Sequence, residues 1–110
     1  MSITLHLYYT GVNGNARKFA EKMERSGIAD AVRQEKGNLA YEYFISMSDP
    51  ETVLLIDRWE DQAALDLHHS SEMMSEISAL REKYDLHMRA ERFVSDEVGT
   101  PDSDEQFIRK

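Results

Sequence analysis

Residues 52–59, TVLLIDRW, place four consecutive apolar side chains, Val53 to Ile56, in a run that ends at Trp59, the only tryptophan of the chain. A short apolar run of this kind, bounded by turn residues, is typical of a buried strand. Side chains on a strand alternate between the two faces of its sheet, so this run presents apolar groups on both faces. Both faces of that sheet must therefore be covered.

Three further strands are predicted around this run. In residues 39–48, side chains alternate between the two faces of a strand. One face carries Leu39, Tyr41, Tyr43, Ile45 and Met47. The turn Ser48-Asp49-Pro50-Glu51 joins this strand to residues 52–59, so the two are expected to be antiparallel. Residues 3–10 alternate with one fully apolar face, and a last strand is predicted over residues 86–95.

Two helical regions separate these strands. The first, about residues 16–34, carries an apolar residue at every fourth position, has Asn13 or Asn15 available as its N-cap, and is expected to bend or break at Ser26-Gly27. The second, from Asp61 as N-cap to about residue 84, is expected to break near Ser70-Ser71. Its second half is predicted to bury the residues Met73, Ile77, Leu80 and Tyr84. The order β-α-β-β-α-β predicts an α+β, ferredoxin-like fold with an antiparallel sheet.

Composition limits the functions that such a chain can have. Apolar residues make up 41% and charged residues 31%, which is typical of one soluble globular domain. This domain is predicted over residues 1–95. Residues 96–110 are predicted to form an acidic, flexible tail. The net charge of −8 disfavours nucleic acid as a partner. We find no membrane-spanning run and no signal peptide. With no cysteine to form disulfides or thiolate metal sites, a cytoplasmic location is expected.

The two-sided apolar sheet also predicts an assembly. Two helical regions can cover only one face, because they form a single layer. The other face would expose an apolar patch, which usually marks an interface. We therefore expect a homodimer whose sheets face each other.

The segment from Glu35 to Met74 resembles the antibiotic biosynthesis monooxygenase family. Its pattern is a Gly before a strand with a Tyr-acidic pair, an Asp-Pro turn, an apolar strand ending in Trp, and a helix with Ala-Leu, His and Ser. The residues that match it, in order, are Gly37, Tyr41-Glu42, Asp49-Pro50, Val53–Ile56, Trp59, Ala64-Leu65, His68 and Ser71. The resemblance implies a dimeric α+β barrel, which agrees with the two-sided sheet.

The same resemblance implies several activities. One is monooxygenation of a quinol or polyphenol with O₂ and no cofactor. Another is isomerisation of a small phosphorylated carbonyl compound, which would need Arg17, Lys18 or Arg58 in the pocket. Haem degradation is disfavoured. The resemblance would place a haem-ligating histidine further along this helical region, beyond His68 and its neighbour, and no histidine lies there. A dimer that binds a ligand without catalysis is a third hypothesis, because one fold carries many functions.

The candidate site residues follow from these activities. His68 matches the histidine of the family pattern and is the candidate general base; its alternative is a structural histidine that bonds backbone. Trp59 is either a pocket wall and hydrogen-bond donor or a core residue. A cavity between sheet and helices is expected to bind a planar phenol through the side chains of Tyr41, Tyr43, His6, Tyr8 and Tyr9. Their alternative is ordinary packing in the core or the dimer interface. His69 lies about 100° around the helix from His68 and is expected to be exposed. The spacing of the histidines favours no metal site.

Overall fold

Four strands form one antiparallel sheet in the order β2-β3-β1-β4, which is the ferredoxin-like arrangement. The computed structural model describes all 110 residues. Its elements are β1 (Ile3–Thr10), α1 (Asn15–Arg25), α2 (Ile28–Arg33), β2 (Asn38–Ile45), β3 (Thr52–Trp59), α3 (Gln62–His69), α4 (Met73–Lys83), β4 (His87–Val94) and α5 (Asp102–Glu105). The predicted fold class is confirmed.

Both predicted interruptions of the helical regions are present. Gly27 adopts a left-handed conformation, with φ of 86°, and separates α1 from α2. Ser70 ends α3 before α4 begins at Met73. Asp61 caps α3 as predicted, because its side chain accepts a hydrogen bond from the backbone N–H of Ala64 at 2.8 Å.

The predicted cap of α1 is wrong. Gly14 occupies the N-cap position in a left-handed conformation, and no side chain caps this helix. Asn13 is itself left-handed, with φ of 56°. Asn15 is the first helical residue, and its side-chain amide donates to the carbonyl oxygen of Tyr84 at 3.1 Å. It therefore joins α1 to the end of α4.

The helices cover one face of the sheet and form the core with it. The buried residues of this layer come from the strands and from α1, α2, α3 and α4, with Tyr9, Phe19, Met23, Val53 and Trp59 fully buried. Of the four residues predicted to be buried by the second helical region, Ile77 is buried, and Met73, Leu80 and Tyr84 pack on the core while partly exposed.

Strand β2 is shorter and more exposed than predicted. It ends at Ile45, and Met47 is fully exposed beyond it. Leu39 and Ile45 are about half exposed, because β2 is an edge strand whose pairing with β3 shifts between Asn38 and Ala40. Only the middle of the strand, around Tyr41 and Tyr43, lies under the helices.

The opposite face of the sheet has no covering layer. Leu54 and Ile56 lie at its centre and are partly exposed, while Phe44 and Phe93 are 41% and 46% exposed. The expected apolar patch is therefore present. Every residue of β4 is exposed, including those that lie on the helix side of the sheet.

The start of α3 is held close to the start of β2. Gly37 is left-handed, with φ of 87°, and a Cβ atom at this position would lie 2.5 Å from the Cβ of Ala64. The backbone N–H of Glu60 donates to the carbonyl oxygen of Gly37 at 2.8 Å. The glycine thus allows a close approach that fixes where α3, and with it His68, lies against the sheet.

The remaining residues, 96–110, include only the single turn of α5, and Phe107 and Ile108 are exposed. That these residues form a flexible tail to a domain of residues 1–95 stays a prediction. None of the helices has the length and apolar character that crossing a membrane requires.

Candidate active site

His68 is buried at the end of α3 and is paired with a carboxylate. Its Nδ1 lies 2.7 Å from Oε2 of Glu35, which follows α2. Its ring stacks on Trp59 with the centroids 4.8 Å apart and the planes at 27°. With Nδ1–H donated to Glu35, the lone pair of Nε2 is free to accept a proton. This is the arrangement of a general base that a carboxylate orients.

The protonation of His68 is set by two opposing effects. Burial lowers its pKa below the ordinary value of 6.5, whereas the charge and hydrogen bond of Glu35 work to raise it. Because the net shift is downward, the imidazole is neutral at pH 7. A neutral imidazole is the form that a general base requires.

Asp57 lies beside this pair, on the inward face of β3. It is buried, and its Oδ1 accepts a hydrogen bond from the indole N–H of Trp59 at 2.6 Å. Burial and, to a smaller extent, the charge of Glu35 raise the pKa of Asp57 to about 7. The hydrogen bond from Trp59 and the charge of Arg81 oppose this shift. The carboxyl group therefore exchanges its proton near neutral pH.

Three tyrosines and one arginine extend the cluster toward β1 and β2. The guanidinium Nη2 of Arg81, on α4, donates to the hydroxyl of Tyr9 at 2.7 Å. The hydroxyls of Tyr41 and Tyr43 lie 3.4 Å apart. Burial raises the pKa of all three tyrosines, so each is a neutral hydrogen-bonding group at physiological pH.

Five of the predicted site residues thus lie on the helix side of the sheet, and two do not. The five that face the helices are Trp59, His68, Tyr9, Tyr41 and Tyr43. His6 and Tyr8 lie on the open face, because they alternate with the inward residues of β1. Their neighbours there are Phe93, 4.8 Å from the His6 ring, and Arg89, whose guanidinium carbon lies 3.8 Å from the centre of the Tyr8 ring.

The prediction that one cavity collects all these aromatic groups is therefore wrong. A contact of His6 or Tyr8 with a substrate stays a prediction, and it would have to be made from the open face. His69 is exposed, as predicted, with its ring centre 5.7 Å from that of His68.

The open cavities reach only the edge of the cluster. A cavity of about 340 Å³ between α1 and the sheet is lined by Tyr43 and Val53 together with charged residues of α1. Neither Trp59 nor His68 lines it, and these two side chains are 0% and 4% exposed. His68 therefore has no opening onto this cavity.

The three cationic residues that the sequence offered for binding a phosphate, Arg58, Arg17 and Lys18, do not gather around His68. Arg58 lies on the open face, where it donates to the hydroxyl of Ser2. Arg17 and Lys18 are exposed on α1. The cavity lined by Arg17 also contains Arg25, Glu21 and Glu24, so its positive and negative side chains balance. No group of three or more His, Asp or Glu side chains is arranged to hold a metal ion.

Three members of the cluster were not predicted from the sequence. Asp57 carried a usable signal, because an acidic residue occupies an inward position between Leu55 and Trp59. Arg81 follows Ile77 by four residues, which places it on the buried side of α4. Glu35 lies just after a helix, where acidic residues are common, and no local pattern distinguishes it.

The fold and the buried histidine–carboxylate pair define an α+β protein of ferredoxin-like topology with a candidate acid–base site under its helices. A family model described as antibiotic biosynthesis monooxygenase matches residues 2–80. The chain therefore belongs to the antibiotic biosynthesis monooxygenase family, and the resemblance seen in the sequence is confirmed.

Solved structures share this fold. A proposed antibiotic biosynthesis monooxygenase from Deinococcus radiodurans has a TM-score of 0.77 at 20% identity, covering 92% of this chain and 98% of that one. SnoaB, a cofactor-independent oxygenase from Streptomyces nogalater, has a TM-score of 0.72 at 11% identity, covering 87% and 94%. PA3566 from Pseudomonas aeruginosa has a TM-score of 0.71 at 25% identity, covering 86% and 93%. No protein of curated function matches the chain.

Proposed function

We propose that this protein is a monooxygenase that oxidises a small quinol or polyphenol with O₂ and without a cofactor. The observation that carries the proposal is the buried pair of His68 and Glu35, with Nε2 of His68 free to accept a proton. Membership of the monooxygenase family supports the reaction class. The cytoplasmic location expected from the sequence stays a prediction.

In this mechanism His68 removes a phenolic proton through Nε2. The resulting imidazolium is stabilised by Glu35, and the substrate becomes an electron-rich anion that can donate electrons to O₂. One oxygen atom is inserted into the ring and the other leaves as water. A dihydroxynaphthalene, for example, and O₂ give a hydroxynaphthoquinone and H₂O, so the substrate supplies all four electrons.

The surroundings of His68 suit a planar phenol. Trp59 stacks on His68, and the edge-to-face rings of Tyr41 and Tyr43, with centroids 5.7 Å apart, continue the aromatic wall. Aromatic walls with a few hydroxyl groups bind phenols by stacking and hydrogen bonding. The role of these three residues in orienting the ring is part of the proposal.

The direct test is to incubate the purified protein with a panel of naphthoquinols and anthrols and to record O₂ uptake and quinone formation. We expect rates above those of the buffer in the absence of added metal or flavin, with one O₂ consumed per quinone formed. A panel in which every member binds but none is oxidised faster than in buffer would contradict the proposal and favour a non-catalytic binding dimer. Thermal-shift measurements with sugar phosphates and with haem test for the isomerase and for haem binding.

We further propose that two copies of the chain pack through the open faces of their sheets. Leu54, Ile56, Phe44 and Phe93 provide an apolar surface on this face, and no segment of the chain covers it. A twofold axis through the centre of the face would place identical apolar surfaces together. The assembly would bury His6 and Tyr8 at the interface.

A dimer of about twice 12.7 kDa is expected in light scattering coupled to size exclusion. Ile56→Asp puts a charge at the centre of the face and should give a monomer, because an unpaired buried carboxylate is costly. Val12→Asp, at an exposed apolar residue outside this face, is the matched control and should remain a dimer. A monomeric unsubstituted protein at tens of micromolar would contradict this assembly.

A further inference from the structure

Arg81 is a positive charge without a fixed counter-ion in the candidate site. None of the ion pairs of the chain includes it. The guanidinium of Arg81 makes one hydrogen bond, from Nη2 to the hydroxyl of Tyr9. Its Nε is buried and has no partner, and it is the only buried side-chain nitrogen or oxygen of the chain in that condition. Unpaired donors of this kind are rare and call for an explanation.

The geometry of the guanidinium gives that explanation. Nε–H and one N–H of Nη2 lie on the same edge of the group, which is the edge that binds two oxygen atoms side by side. The hydroxyl of Tyr9 accepts a hydrogen bond from Nη2. The position in front of Nε has no oxygen. Because Tyr9 accepts from Arg81, its own hydroxyl hydrogen remains available to a second oxygen atom.

The charges around Arg81 favour an anion in the position in front of Nε. Arg81 acts on five titratable groups, since its positive charge works to lower the pKa of Tyr9, Tyr41, Tyr43, Asp57 and His68. Of these, only Asp57 can become negative near neutral pH, and burial keeps it largely protonated below pH 7. Glu35 is engaged by His68. The arginine therefore has no carboxylate within ion-pair distance of its guanidinium.

We propose that Arg81 and Tyr9 form a binding site for an ionised oxygen of the substrate, with Nε–H of Arg81 and O–H of Tyr9 as the two donors. This inference rests on the proposed function, and it adds which groups of the chain hold the ionised oxygen. His68 removes the proton, and Arg81 holds the oxygen that lost it. Because Nε is buried in the unliganded chain, the arginine side chain shifts as the ligand enters.

The test uses 4-nitrophenol, whose ionised form absorbs visible light. Its pKa is measured free and bound, by titrating absorbance in the presence of saturating protein. With the unsubstituted protein, the bound pKa is expected to fall by about one unit or more, which equals about tenfold tighter binding of the ionised form. In Arg81→Met the bound pKa should rise above the free value, since burial alone disfavours the charged form.

Arg92→Met is the matched control, because Arg92 is an exposed arginine that pairs with Leu5 and so lies on the helix side of the sheet. It should keep the lowered pKa. Arg81→Gln is a second variant at the site in case the methionine disturbs the fold, and circular dichroism verifies each variant. We also expect the Tm of Arg81→Met to equal or exceed that of the unsubstituted protein, because the variant removes a poorly compensated charge.

The outcomes separate this inference from the proposed function. A bound pKa that is not lowered, or is equally lowered in Arg81→Met and Arg81→Gln, overturns the anion site, as does the absence of saturable 4-nitrophenol binding. A lowered pKa that depends on Arg81, in a protein that oxidises no quinol, supports the anion site and overturns the monooxygenase.

Discussion

Replacement of His68 by glutamine is expected to lower kcat for quinol oxidation by about 10²- to 10⁴-fold, the range that a positioned general base contributes. Glutamine keeps a side chain of similar length but cannot accept the phenolic proton. Glu35→Gln should lower the rate by a smaller factor, because it removes only the carboxylate that orients and stabilises the imidazolium. Both rates are measured by O₂ uptake at saturating quinol.

His69→Ala provides the matched control, because this neighbouring histidine is exposed and lies outside the cluster. It should leave kcat unchanged. The pH profile gives an independent check. Since burial lowers the pKa of His68 and the base must be neutral, activity should fall only as pH drops below 6.5. Full activity in His68→Gln would rule out this residue as the base, whatever the substrate.

Asp57→Asn is expected to stabilise the protein at alkaline pH but not at acidic pH. The pKa of Asp57 is about 7 in the folded chain, against 3.8 for an unperturbed side chain. The folded state therefore binds the proton more tightly, and the free energy of unfolding falls as pH rises from about 4 to about 7. At about 1.4 kcal/mol for each unit of pKa, the full loss is slightly more than about 4 kcal/mol. Asparagine, which resembles the protonated carboxyl, does not undergo it.

The difference in unfolding free energy between Asp57→Asn and the unsubstituted protein should thus grow by a few kcal/mol from pH 4 to pH 8. It is measured by urea denaturation at fixed protein concentration, because dimerisation would make stability depend on concentration. Comparing two variants that share His68 largely cancels the contribution of that residue, which has the opposite sign. Asp102→Asn, in the exposed tail, should change stability little at either pH. A difference that stays constant with pH would show that Asp57 is ionised like an exposed carboxylate.

Some features of the fold were predictable because their causes are local. The inward and outward residues of β1 and β3 follow from strict alternation, and the start of α3 follows from one capping aspartate. The break at Gly27 follows from a residue that readily adopts a left-handed conformation. The cap of α1 was not predictable in the same way, since two asparagines flank a glycine and both residue types are common at N-caps.

The error about His6 and Tyr8 has a different origin. The alternation that predicts β1 already places them on the other face of the sheet from Tyr9. Their chemistry suggested a pocket shared with Tyr9, and the strand geometry forbids it. Strand β2 was predicted to be too long and too buried for a further reason. Whether an alternating strand is covered along its whole length depends on its place in the sheet, and β2 lies at an edge.

The sequence by itself determined the order of the strands along the chain, the two-sided apolar sheet and, through a family pattern, the choice of His68 and Trp59 as candidate site residues. Only the tertiary structure decided which groups meet them. Glu35 reaches His68 across 33 positions of the chain, and Arg81 reaches Tyr9 across 72. Alternation, capping and helical periodicity act over a few residues, whereas these pairs depend on how α2 and α4 pack on the sheet. Burial then sets the protonation of Asp57, and burial is a property of the packed molecule.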